Sequence, residues 1–120
     1  MNVRGIRGAT RLSDDSPGAM TECVVELISE VLERNGLTSD DLISIVFTAT
    51  PDLRSAFPAA AARTLSLGDV PLLCAVEIDV PGALSRVVRI LAHVQTDLAR
   101  SEIAHIYLRG AEVLRQDLAQ

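Results

Sequence analysis

The sequence predicts a single α+β domain with α/β-like alternation: a mixed β-sheet of about five strands, with two main helices on one face. Three observations predict it. Period-two and helical apolar patterns alternate through the first half and then run as strands alone, in the order β-α-β-α-β-β-β. The 120 residues fit one domain over 1–120, and 48% hydrophobic content supplies a core. Aromatics are nearly absent, with Tyr107, Phe47 and Phe57 and no Trp, so that core must be aliphatic.

Residues 1–9 read as a strand that carries Arg4 and Arg7 among small residues. Glycine inside a strand marks close approach of another group, so Gly5 and Gly8 leave space around the Arg7 head. A polar turn, Ser13 to Gly18, follows, with Ser16 as N-cap and Pro17 in the first helical turn. Met20, Val24, Leu27, Ile28, Val31 and Leu32 recur at helical spacing, with Glu22, Glu26, Glu30 and Glu33 on the other face. Asn35-Gly36 ends the helix; Asp14 and Asp15 near its start and Arg34 near its end suit its dipole. Leu42 to Thr50 is a second strand, and Pro58 opens a short helix through Leu65. Pro71 to Ile78, Arg86 to Thr96 and Ala104 to Leu108 are three more strands, and a short tail ends at Gln120. One open sheet in so small a chain leaves a face to cover, and a homo-oligomer whose sheets pack together covers it.

Several functions are disfavoured. The net charge of −5 argues against nucleic acid. No apolar run reaches membrane-spanning length and no signal peptide opens the chain, so a soluble, cytoplasmic protein without a membrane partner is expected. Cys23 and Cys74 are too few and too far apart for a disulfide framework or a zinc knuckle. His93 and His105 lack metal-ligand spacing, and neither metal nor cofactor is expected. Lysine is absent, which genomic base composition explains; its absence excludes Schiff-base chemistry on a lysine amine.

Candidate site residues come from charges in odd settings. Arg7, Arg63, Arg89 and Arg115 together suggest a site for a small, multiply anionic ligand; ordinary surface arginines are the plain alternative. In the strand Arg86 to Thr96, Val88, Ile90, Ala92 and Val94 share one face, and Arg89, Leu91 and His93 the other. An arginine buried in such an apolar strand must reach an edge, meet a partner or line a cavity. Glu77 is the obvious partner, either in a plain ion pair or with both groups facing a ligand. Cys74 packs as a small hydrophobe or donates a weak hydrogen bond. Tyr107 offers a phenol at a strand end, and Phe57 a hydrophobic plug before Pro58. Glycine-rich phosphate loops, paired-carboxylate motifs and HExxH are missing.

Six segments then match a known pattern in order and spacing: Arg4-Gly5-Ile6-Arg7-Gly8-Ala9-Thr10, Ala49-Thr50-Pro51-Asp52-Leu53, Ala56-Phe57-Pro58-Ala59, Val94-Gln95-Thr96-Asp97, His105-Ile106-Tyr107-Leu108 and Val113-Leu114-Arg115. Over nearly its whole length the chain resembles the small trimeric chorismate mutases, the β-rich pseudo-α/β-barrel type rather than the all-helical one. The resemblance implies conversion of chorismate to prephenate, a step toward phenylalanine and tyrosine. It also implies a homotrimer with three interface active sites and no cofactor. By it, Arg7 and Arg89 bind substrate carboxylates, Arg89 also approaches the ether oxygen, and Glu77 and Cys74 contact the ring hydroxyl. Tyr107 contacts a carboxylate, and Phe57, Arg63, Leu114 and Arg115 form the pocket wall and its C-terminal cover. Leu73 stands at a substrate-binding position where relatives can have Thr, Ala60 where they can have Lys, and Gln116 where a proline is expected. Arg7, Glu77 and Arg89 are expected from one chain, Phe57 and Arg63 from its neighbour.

The chemistry suits this inventory. A unimolecular rearrangement needs no nucleophile or proton transfer; it needs the compact conformer held and positive charge at the ether oxygen. Two other readings stay open: a related trimeric fold that hydrolyses reactive imines or enamines, and a non-catalytic regulatory trimer that binds small anions. Glu77 and Cys74 beside Arg89 favour the mutase.

Overall fold

The computed structural model describes residues 1–118, with side chains described through Leu114. Its elements are β1 (Asn2–Arg11), α1 (Pro17–Arg34), β2 (Leu42–Ala49), α2 (Pro58–Ala62), β3 (Leu72–Val76), β4 (Val87–Thr96) and β5 (Ile106–Tyr107). The strands form one five-stranded sheet in the order β3-β2-β4-β1-β5. Central β4 runs antiparallel to β1 and β2, while β3 and β5 pair parallel at the two edges. The mixed sheet and its two helices match the sequence expectation.

Helix α1 forms for the reasons its sequence states. The Ser16 hydroxyl accepts the Ala19 N–H at 3.1 Å, and Pro17 occupies the first turn. At the far end, Gly36 takes φ 65°, and the Leu37 N–H returns to the Leu32 carbonyl at 2.9 Å. Asn35 then ties the helix end to the approach of β5: its Nδ2 donates to the carbonyls of Val31 and Ala104, and its Oδ1 accepts the Ala104 N–H at 2.8 Å.

Met20, Val24, Leu27, Ile28 and Val31 of α1 join Ile6, Ile45, Phe47, Val88, Ile90 and Ile106 of the sheet in one buried cluster. Each such side chain is worth about 1.5–3 kcal/mol when fully buried. Gly8 sets how closely helix and sheet approach: a Cβ there would lie 3.1 Å from both Ile90 Cγ1 and Leu27 Cδ1. The close approach expected at the β1 glycines is therefore made by α1 at Gly8.

The structure differs from expectation in particulars. Helix α2 stops at Ala62 rather than Leu65, because Thr64 and Leu65 turn back with i→i+3 bonds to Ala61 and Ala62 ahead of Gly68 at φ 64°. Strand β3 ends at Val76 and β4 begins at Val87, since Arg86 takes φ 54°, a left-handed turn that a strand cannot include. Strand β5 shortens to Ile106–Tyr107. Three 3₁₀ segments, Ser39–Asp41, Arg100–Glu102 and Ala111–Leu118, occupy stretches read as loop or tail. Asp15 does not serve the start of α1. Its Oδ1 accepts the Arg54 and Ser55 N–H groups at 3.0 and 3.1 Å, and the bonds from Ser55 hold its carboxyl below the usual value.

Neither α1 nor α2 packs on the second face of the sheet, and much of it is exposed. Val3, Leu73 and Leu91 lie on it at 60%, 63% and 39% exposure. Arg89 shares that face, so the expectation of a buried arginine is corrected: its side chain is 46% exposed, because both helices pack on the opposite face.

Candidate functional site

One cross-strand row of the second face organises the site. Register pairs Ala75 of β3 with Thr48 of β2, Thr48 with Arg89 of β4, Arg89 with Ala9 of β1, and Ala9 with Tyr107 of β5. Period-two alternation turns these positions to the same side. Arg89 thus sits mid-row, with small Ala9 between it and Tyr107.

Glu77 enters just past β3, its backbone N–H held by the Ala49 carbonyl at 2.9 Å. Its carboxylate meets the row at one oxygen. Oε2 accepts the Thr48 hydroxyl at 2.6 Å and the Arg89 Nε–H at 3.0 Å. Oε1 and the terminal nitrogens of Arg89 take no further hydrogen bond among the described residues. A guanidinium pinned at Nε presents its outer fork to an incoming anion. Only 14% of the Glu77 side chain is exposed, so its geometry is the more firmly set of the two.

The segment Thr50-Pro51-Asp52 explains why Arg89 stands where it does. The Thr50 hydroxyl donates to Asp52 Oδ1 at 2.6 Å and accepts the Val87 N–H at 3.0 Å. The Asp52 carboxylate accepts the Arg86 N–H at 3.0 Å, bracing that residue in its left-handed turn. Together they fix the first residues of β4, two positions before Arg89.

Arg7 lies one row further along β1, opposite Leu91, and its backbone N–H donates to His105 Nδ1 at 2.9 Å. It lines a pocket of about 270 Å³ with Arg4, Arg100 and His105. The row itself borders a cleft of about 290 Å³, lined by Glu77, Arg89, Asp52, Arg54 and the loop through Ile78 to Ser85.

The remaining expected residues divide by position. Cys74 pairs with Phe47, which faces the helices, so Cys74 and Glu77 point to opposite sides of the sheet. Cys74 lines a groove of about 340 Å³ with Ala56, Phe57, Pro58 and Val76, and Phe57 is 72% exposed there. That corrects the expectation of Cys74 beside Arg89 within one chain; three residues is an odd spacing, which a strand resolves as opposite faces. Arg63, at the end of α2, borders a fourth cavity of about 510 Å³ with Leu65, Leu67 and Leu72. Leu73 lies on the second face beside Val46, and Leu114 is half-buried in the last 3₁₀ segment. The side chains of Arg115 and Gln116 lie outside those described. Thr48 is a site residue that sequence reasoning misses; its alternation with Phe47 in β2 is the signal that it shares a face with Arg89.

Among the described residues, no three His, Cys, Asp or Glu side chains gather closely enough to hold a metal ion, and no helix is long and apolar enough to cross a membrane.

Residues 3–118 match the family model of chorismate mutase type I. The chain is 49% identical to chorismate mutase AroH of Thermus thermophilus over 117 residues, covering 97% of this chain and 96% of that one. It is 39% identical to chorismate mutase AroH of Bacillus subtilis over 120 residues, covering 99% and 94%. The solved chorismate mutase of Clostridium thermocellum superposes with a TM-score of 0.89 at 46% identity, covering 92% of this chain and 98% of that one.

Proposed function

The chain belongs to the type I chorismate mutase family, and from that premise we propose how its own side chains convert chorismate to prephenate, the isomerisation that leads toward phenylalanine and tyrosine. The observation that carries the reading is the single-oxygen junction at Glu77. It leaves the outer nitrogens of Arg89 and the second oxygen of Glu77 open at one cleft.

Chorismate carries two carboxylates, a ring hydroxyl and an ether oxygen. Arg89 serves a carboxylate and the ether oxygen, which gains negative charge as the carbon–oxygen bond breaks and the carbon–carbon bond forms. Glu77 Oε1 accepts the ring hydroxyl. Arg7 and Tyr107, on the same face, hold the carboxylates. Rate enhancement comes from keeping the compact conformer in place and from preorganised charge at the ether oxygen.

The active unit is a homotrimer with sites shared between chains. Two features support this. The second face carries apolar Val3, Leu73 and Leu91, which water disfavours. The groove holding Phe57 and Cys74 and the cleft holding Glu77 and Arg89 are separate cavities of one subunit, so a neighbour's groove completes the cleft. Phe57 and Cys74 of that groove, with Arg63 from the end of α2, then wall the substrate from the adjoining chain, and Leu114 and Arg115 cover it. The two unpaired cysteines support a cytoplasmic setting.

The direct test follows loss of the chorismate diene absorbance and appearance of prephenate. Turnover should be nearly flat across the neutral pH range, since guanidiniums do not titrate there and no proton moves. Binding without turnover would support the non-catalytic trimer instead. Imine hydrolysis with a bell-shaped pH profile would support the hydrolase.

A further inference from the structure

We propose that Thr48 is a positioning residue for the rearrangement: it holds Glu77 so that the carboxylate grips Arg89 through Nε alone. The proposal rests on the reading that Glu77 and Arg89 contact the substrate. Arginine and carboxylate left to themselves favour a two-point pairing, in which both carboxylate oxygens face two guanidinium nitrogens. That pairing would use the nitrogens the substrate needs. Here it does not form. The Thr48 hydroxyl, 2.6 Å from Oε2, and Arg89 Nε, 3.0 Å from the same atom, saturate one oxygen from two sides. The carboxylate is held edge-on, its Oε1 left for a substrate hydroxyl and the Arg89 fork for oxyanions.

Backbone geometry fixes the donor. Thr48 is directly opposite Arg89 in the β2–β4 register, and Ala49, the next residue, holds the Glu77 backbone N–H at 2.9 Å. One stretch of β2 therefore sets both ends of Glu77. Thr48 reaches the reaction only through that carboxylate.

The test is a double-mutant cycle read in steady-state kinetics. Thr48→Val keeps the β-branched shape and removes the hydroxyl. It should lower kcat on the order of 10- to 100-fold, the range for losing a hydrogen bond to a charged group. KM should change much less, and the melting temperature little. Thr48→Ser should retain most of the rate. In a Glu77→Ala background, Thr48→Val should cost nothing further. An unchanged kcat in Thr48→Val would overturn the proposal, as would a full-sized loss in the Glu77→Ala background. Should the valine variant fail to fold, Thr48→Ala against Thr48→Ser in both backgrounds separates the same two outcomes. Failure of the underlying reading is recognised separately: Glu77→Ala and Arg89→Met would then turn over normally, whatever Thr48 does.

Discussion

Arg89 separates a catalytic charge from a structural one. Its pair with Glu77 is short, yet nearly half of its side chain is exposed in the subunit. Glu77 is only 14% exposed, so removing the guanidinium leaves a largely buried carboxylate held by Thr48 alone. Arg89→Met, similar in length but neutral, should therefore lower the melting temperature of the chain. If the charge serves the developing oxyanion, the same variant should lose on the order of 10²–10³ or more in kcat, with a far smaller change in KM. Arg89→Lys should recover part of the rate, limited by the lost fork. A variant that melts early but turns over normally would remove Arg89 from the mechanism. The Arg89–Glu77 pair was legible in the sequence, because a charge on an apolar strand needs a partner. Its exposure was not, since a period-two pattern defines two faces without saying which one is covered.

At the scale of elements, the C-terminal segment is clamped to α1 by charge. Arg109, in a left-handed turn at φ 54°, donates from Nε to Glu26 at 2.9 Å and from Nη2 to Glu22 at 3.3 Å. The bond from Arg109 holds the Glu26 carboxyl below its ordinary value, and the same bond raises the guanidinium further. A carboxyl depressed on folding adds stability above its unfolded value, and that stability is lost as pH falls through the folded value. Glu26→Gln should thus lower the melting temperature slightly at neutral pH, with exposure limiting the effect to well under about 1 kcal/mol. As pH falls through the folded value of Glu26, the difference between variant and parent should shrink away. A difference that persisted in acid would assign the effect to packing. Helix α1 was legible from its caps and apolar stripe. The left-handed turns at Arg86 and Arg109 were not, because each is a non-glycine residue held by distant carboxylates, Asp52 in one case and Glu22 and Glu26 in the other.

For the whole molecule the prediction is association. Sedimentation equilibrium should give about three chains per particle, as the proposed homotrimer has; a stable monomer at micromolar concentration would remove the trimer and the shared site together. Sharing has its own check. Inactive Arg7→Ala and inactive Arg63→Ala chains, unfolded together and refolded as a mixture, should regain some activity, because some interfaces would join two unaltered halves. Mixtures that stayed inactive would mean that each chain holds its site alone. The sheet and its helices were legible because alternation and helical spacing are local signals. The division of the site into two cavities was not, because it depends on which strand face each residue takes at the β3 edge.

If the proposed trimer closes over the open sheet face, dilution becomes a form of inhibition. An enzyme assembled by that face has a specific activity that falls with its own concentration, steeply, since losing one neighbour opens more than one site. In the proposed shared site, chorismate gripped from two chains at once would act as mortar. By linkage it must strengthen the assembly by the same factor by which assembly strengthens its binding.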